Sequence, residues 1–194
     1  MKPIYKCAGA VAALLLAPAA GAALTTYEAT GPDAASITVA RDAFRTAVGG
    51  GTTAGLNGSF GGLRREINWD GVGNSFADPN LLPADFFNLN SPRGALFSTP
   101  GTGFLVSANA GQSAPTLFGF PNDFQTFSAQ RLFTAVNSNI TDVTFFLPGT
   151  ATAATTSAFA AIFVDVEVAG LTTMEFFNES GSSIFSRAVL AGGN

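Results

Sequence analysis

Carboxylates are the groups in this 194-residue chain that could run acid–base catalysis: His is absent, and the single Cys and both lysines fall at Cys7, Lys2 and Lys6. The missing imidazole excludes Ser-His-Asp and Cys-His catalysis and every His-ligated metal site. Asp165 and Glu167 stand on one face of what reads as a strand, about 7 Å apart from the rise of two residues. Glycoside hydrolysis is the reaction that paired acids perform unaided. Glu66, Asp85 and Glu175 are further candidates for such a pair. Nothing in the sequence ranks them, so no catalytic residue is assigned.

Two other groupings invite a binding reading. Asn68, Asp70, Asn74, Asp78 and Asn80 line a glycine-containing stretch with oxygen donors, which is what Ca²⁺ takes. No acidic residue closes an EF-hand loop here, and polar turn-formers account for the same letters. The second grouping is Arg64-Arg65-Glu66-Ile67-Asn68-Trp69-Asp70-Gly71, the densest polar run. On a strand, Arg65, Ile67 and Trp69 face one way and Arg64, Glu66 and Asn68 the other. In one reading Trp69 fills the core, Glu66 pairs with an arginine and Asp70-Gly71 turns the chain. In the other, Trp69 is an exposed platform for a sugar ring, and Arg65, Asn68 and Asp70 bind hydroxyls.

Hydrophobic residues make up 47% of the chain and charged residues 11%, well below the roughly 25% usual for a soluble domain. The net charge is −4 and no basic block is available to neutralise phosphates, which argues against a nucleic-acid partner. The N-terminus has the three parts of a secretory signal. Lys2 and Lys6 form a positive start, an apolar run follows over 8–16, and Ala20-Gly21-Ala22 is a small-x-small cleavage site. The apolar run is too short for a membrane span and no second one follows, so the expectation is a leader over 1–22 and a released product. Without Lys2 and Lys6, seven arginines face 13 acidic residues, a net charge of −6. The expected address is secreted or cell-surface.

The elements that must position these groups follow from periodicity. Residues 36–48 read as a helix: Asp33 or Ser36 caps it, Ile37, Ala40, Phe44 and Ala47 share a face, and Gly49 ends it. A glycine-rich connection follows over 49–62. Strand candidates then run over 63–69, 94–98, 103–108, 131–136, 141–147, 159–168, 172–177 and 183–190, split by Gly, Pro, Asn and Ser. The expected fold is all-β: a jelly-roll-like antiparallel β-sandwich with one short N-terminal helix, residues 23–62 and 63–194 forming one domain. A lipocalin-like barrel is the rival topology, and the long loop 69–93 counts against it. Phe86-Phe87, Phe145-Phe146 and Phe176-Phe177 are adjacent pairs, each sending one ring to either face of a strand. The last candidate strand is apolar on both faces yet has little chain after it. Its open edge is expected to recruit a second copy or another chain.

The run Arg64 to Gly71, with Asn80-Leu81-Leu82-Pro83-Ala84-Asp85-Phe86-Phe87-Asn88, Ser91-Pro92-Arg93-Gly94 and Phe97-Ser98-Thr99-Pro100-Gly101, resembles a group of uncharacterised exported bacterial proteins. Many members of that group carry a C-terminal PEP-CTERM sorting tail. Phe127-Ser128, Arg131-Leu132-Phe133, Asp142-Val143-Thr144-Phe145-Phe146 and Phe163-Val164-Asp165-Val166 are similar too. The resemblance implies export and a β-sandwich, and it brings no activity or catalytic residue. The Pro-Glu-Pro tail is not present in Ala191-Gly192-Gly193-Asn194, so sorting by it is not expected. Taken together, the expectation is a non-catalytic secreted or cell-surface protein that binds extracellular polysaccharide or contributes to a matrix. A carboxylate-dependent glycoside hydrolase is the alternative.

Overall fold

The computed structural model describes residues 9–12 and 24–192. In chain order the strands and the helix are β1 (Gly9–Ala12), β2 (Ala29–Gly31), α1 (Ala34–Val48), β3 (Ser59–Phe60), β4 (Arg64–Arg65), β5 (Ala95–Ser98), β6 (Gly103–Val106), β7 (Phe133–Val136), β8 (Asp142–Phe145), β9 (Ala161–Val164), β10 (Thr173–Phe177) and β11 (Ser183–Ala188). The fold is β-rich, built of small antiparallel sheets with one helix among the described residues. β3–β4, β5–β8, β6–β7 and β10–β11 are two-stranded, and β1 lies between β2 and β9. The leader reading of 1–22 falls outside the described residues except at β1. No helix among the described residues is long and apolar enough to cross a membrane.

The described residues divide into two compact units whose segments interleave along the chain. One unit comprises Gly49–Pro121 and Ser128–Thr155. Its core is Val72, Ala77, Leu82, Phe86, Phe87, Ala95, Phe97, Phe104 and Val106. β5 buries Ala95 and Phe97 and β6 buries Phe104 and Val106, the period-two pattern of a strand with one covered face. β8 pairs with β5 (Phe97 opposite Val143) and β7 with β6 (Val106 opposite Phe133), so one strand pair is nested inside the other along the chain. The stretch between Trp69 and Arg93, read from sequence as a long polar loop, supplies five of those core residues. Its backbone is held by Asp78 N–H to Val106 O (2.8 Å), Leu82 N–H to Phe104 O (2.9 Å) and an Ala84 carbonyl that accepts from Phe97 N–H (3.0 Å). Each fully buried phenylalanine contributes roughly 1.5–3 kcal/mol, enough to offset the backbone ordering of about one or two residues.

The other unit comprises the described residues up to Val48, Asn122–Phe127, and those from Thr156 on. α1 starts where Asp33 Oδ1 accepts from Ser36 N–H (2.9 Å) and from the Ser36 hydroxyl (2.7 Å). It stops at Gly49, whose φ of +85° suits glycine. Ile37 is fully buried, Ala40 and Phe44 are half-buried, and Tyr27 packs edge-on against Phe44. Ala47, expected on the same face, is exposed. A smaller core of Val166, Met174 and Val189 is flanked by Phe159, Phe163 and Phe176. The strand expected over 159–168 ends at Val164, because Asp165 has φ +61° and breaks the ladder. Asp165 and Glu167 therefore do not sit on one face of a regular strand.

Candidate functional site

The Arg64–Gly71 run does not continue as a strand. β4 covers only Arg64 and Arg65, and Trp69–Gly71 is a 3-10 turn. Asn68 caps that turn, its Oδ1 accepting from Asp70 N–H (3.0 Å). Arg64 is buried and Arg65 exposed, as the alternation of the run requires. The Arg64 guanidinium lies over the Phe60 ring, donates from Nε to Glu66 Oε1 (2.7 Å) and reaches the carbonyls of Gly49 and Gly51. The glycine-rich connection is thereby tied down by an arginine–carboxylate pair. Arg93 does similar work: its Nε donates to Glu66 O (2.7 Å) and it covers the Phe87 ring. Burial pushes its pKa down from the usual arginine value.

Trp69 packs among phenylalanines. One face is stacked on Phe133 at 4.1 Å with the planes 2° apart, and Phe87 and Phe97 lie at 5.4 and 5.9 Å. The indole is half-buried. Contacts of this kind are worth about 0.5–1.5 kcal/mol beyond area burial, so the ring serves as a packing element of the unit. Phe133 thus occupies one of the two indole faces. Arg65 and Asn68 are exposed.

Asp70 and its neighbours form a network that the sequence did not announce. Asp70 Oδ1 accepts from the backbone N–H of Gln130 (3.1 Å) and of Arg131 (2.9 Å), and Ser128 donates its hydroxyl to Asn68 Oδ1 (3.2 Å). Arg131 is 3% exposed. Its guanidinium donates to Ser107 O (2.9 Å) and to Asn74 Oδ1, while Ser107 Oγ accepts from Leu132 N–H (2.9 Å). Burial lowers the Arg131 pKa and the Asp70 charge opposes that shift. Arg131 Nε and Asn109 Oδ1 are buried without a hydrogen-bond partner. Of the five oxygen donors expected to suit Ca²⁺, Asn68, Asp70 and Asn74 are thus brought onto one segment. Their Oδ1 atoms, however, accept from protein donors, one of them a guanidinium. Asp78 and Asn80 take no part in this network. Calcium would have to displace those donors and sit beside a cation, which Coulomb repulsion opposes. The only sequence signal for Arg131 is its rarity, as one of seven arginines in a charge-poor chain, at the head of an apolar strand.

The candidate acids are divided between the units. Glu66 is paired with Arg64, and Asp85 is half-buried in the same unit. Asp165, Glu167 and Glu175 are exposed in the other. Asp33 and Asp42 are held below the usual carboxylate range by hydrogen bonds, from Ser36 and from Arg41 respectively. A shallow depression lined by Asp33, Ile37, Thr126, Phe127 and Val164 has room for about one water molecule. Comparison with protein-family models, curated proteins and solved structures finds no match to this chain.

Proposed function

We propose that this is a non-catalytic exported protein of the cell surface or extracellular matrix, one that presents a neutral β-rich surface to polysaccharide. The observation that carries the reading is how its acids are used. Glu66 and Glu28 are committed to arginines, Asp70 to two backbone N–H groups and Asp33 to a helix cap. A general acid needs the opposite, a carboxyl kept protonated by an apolar wall. The exposed side chains of Arg65 and Asn68 are the proposed contact for sugar hydroxyls. No cofactor is part of this reading. The same proposal includes a leader ending at Ala22 and kinship with the exported bacterial group. It also includes a jelly-roll-like sandwich, favoured by the nesting of the β6–β7 pair within β5–β8.

A glycan array run beside a reducing-sugar assay tests it. The expected result is retention on one class of polysaccharide without release of reducing ends, weakened several-fold by Arg65→Ala, a change at an exposed site that spares the core. Turnover abolished by Glu167→Gln or Glu175→Gln would instead establish the glycoside hydrolase.

A further inference from the structure

β10 and β11 form a hairpin sheet that no other described strand extends. The sequence pointed to the far edge of the last strand as the place for a partner, and that edge is interrupted by a bulge. The β10–β11 register slips at Ile184, which bulges out of the ladder between Phe185 and Ser183. Further along, Arg187 is held by Glu28 in two contacts of 2.7 Å, Ala191 O accepts from Thr30 Oγ1, and Gly192 N–H donates to Val166 O. Bulges and engaged charges are how proteins blunt an edge.

Among the described residues, none interrupts the β10 edge in this way. Val189 N–H donates to Thr172 O (2.8 Å), which marks Thr172 and Val189 as a bonded pair of the ladder. Antiparallel pairs alternate between bonded and non-bonded. Met174–Arg187 and Phe176–Phe185 are then bonded pairs, and Thr173–Ala188 and Glu175–Ser186 are not. The N–H and C=O groups of Thr173, Glu175 and, by the same alternation, Phe177 therefore point away from β11. No described residue bonds them. Their side chains share the exposed face, where Phe177 is 53% exposed.

We propose that β10 is a self-pairing edge gated by the charge on Glu175. An antiparallel two-fold pairing with β10 of a second copy, centred on Glu175, satisfies the outward groups of both strands with about six hydrogen bonds. It sets Thr173 against Phe177 of the second copy and Met174 against Phe176 of the second copy, two favourable apolar cross-strand pairs. It also sets Glu175 against its own equivalent, with Cα atoms about 5.5 Å apart. Like charges directly opposite oppose pairing. Ser186 is the residue facing Glu175 from β11, so no cation there offsets the repulsion. Arg187 lies on the other face with Glu28, and Glu179, in the turn, adds negative charge. Registers centred on Met174 or Phe176 avoid the clash but make only about four bonds. The edge is thus closed to a second copy by the Glu175 carboxylate and opened when a neutral residue takes its place.

Light scattering on the eluting peak of a size-exclusion column, with hydrogen exchange, tests this on the full chain. The wild type is expected to be monomeric at pH 7. Glu175→Gln is expected to be dimeric at pH 7, with slowed exchange at the amides of Thr173, Glu175 and Phe177. A Glu175→Gln chain that stays monomeric up to millimolar concentration would overturn the proposal. So would a dimer lacking protection at those amides, or a wild type already dimeric at pH 7.

Discussion

Asp70 places one carboxylate oxygen on two backbone N–H groups, and Arg131, which supplies one of them, sends its buried guanidinium to Ser107 O and Asn74 Oδ1. One of these hydrogen bonds is exposed and the other part-buried, and both are strengthened by the charge on the acceptor. Asp70→Ala is therefore expected to lower unfolding stability by about 1–3 kcal/mol, read from the urea midpoint. Asp70→Asn keeps an acceptor oxygen and should lose less than half as much. Equal midpoints for all three chains would show that residues 128–131 are held by other means. Calcium added to the same titrations should leave the midpoints in place, since Arg131 already occupies Asn74 Oδ1.

At the scale of elements, α1 depends on its first turn. The Ser36 hydrogen bonds to Asp33 favour the ionised carboxylate and hold its pKa below the usual value. A depressed folded-state pKa contributes stability that is fully present above the unfolded pKa of about 3.9 and is lost as pH falls through the folded value. Asp33→Asn retains the cap acceptor without the charge, so the wild type should be the more stable chain at pH 7. The two should converge by about pH 2, where the carboxyl is protonated. Thermal melts followed at 222 nm across that range check this, and a gap that persists in acid would remove the charge from the account. The stretch between Trp69 and Arg93 makes the complementary point. It has almost no regular structure, yet it carries Leu82, Phe86 and Phe87 into the core of its unit.

For the whole molecule, the two units interleave: the chain leaves one at Val48, returns for Asn122–Phe127, and returns again from Thr156. Such connectivity places much of the folding cost in long-range closure, which slows folding more than it weakens the final state. The export reading makes a prediction at this scale. Expressed in an exporting bacterium, the chain should be recovered outside the inner membrane with Ala23 as its first residue, as N-terminal sequencing or intact mass would show. β1 would be removed with the leader, so β2 and β9 would lose the strand they share. Recovery of the exported chain with Met1 or Lys2 still present would overturn the leader reading.

Local pattern was enough to locate α1 to within two residues of its start and to mark the positions of β5 to β8, β10 and β11, because strand alternation, a cap and turn residues act within a few positions of one another. It also placed Arg64 and Arg65 on opposite sides and paired Glu66 with an arginine. Only tertiary structure decided the rest. One face of the Trp69 ring is taken by Phe133, a residue far along the chain, and the oxygens of Asp70 and Asn74 are taken by the segment that holds Arg131. The polar letters of residues 69–93 hid a core segment, since its apolar residues follow no helical or strand period. At Asp165 a left-handed backbone ended a strand that alternation alone would have continued. Short-range periodicity reports which way neighbouring side chains point. What meets them across the fold depends on contacts tens of residues away, and those set whether a tryptophan or an asparagine is a site or a support.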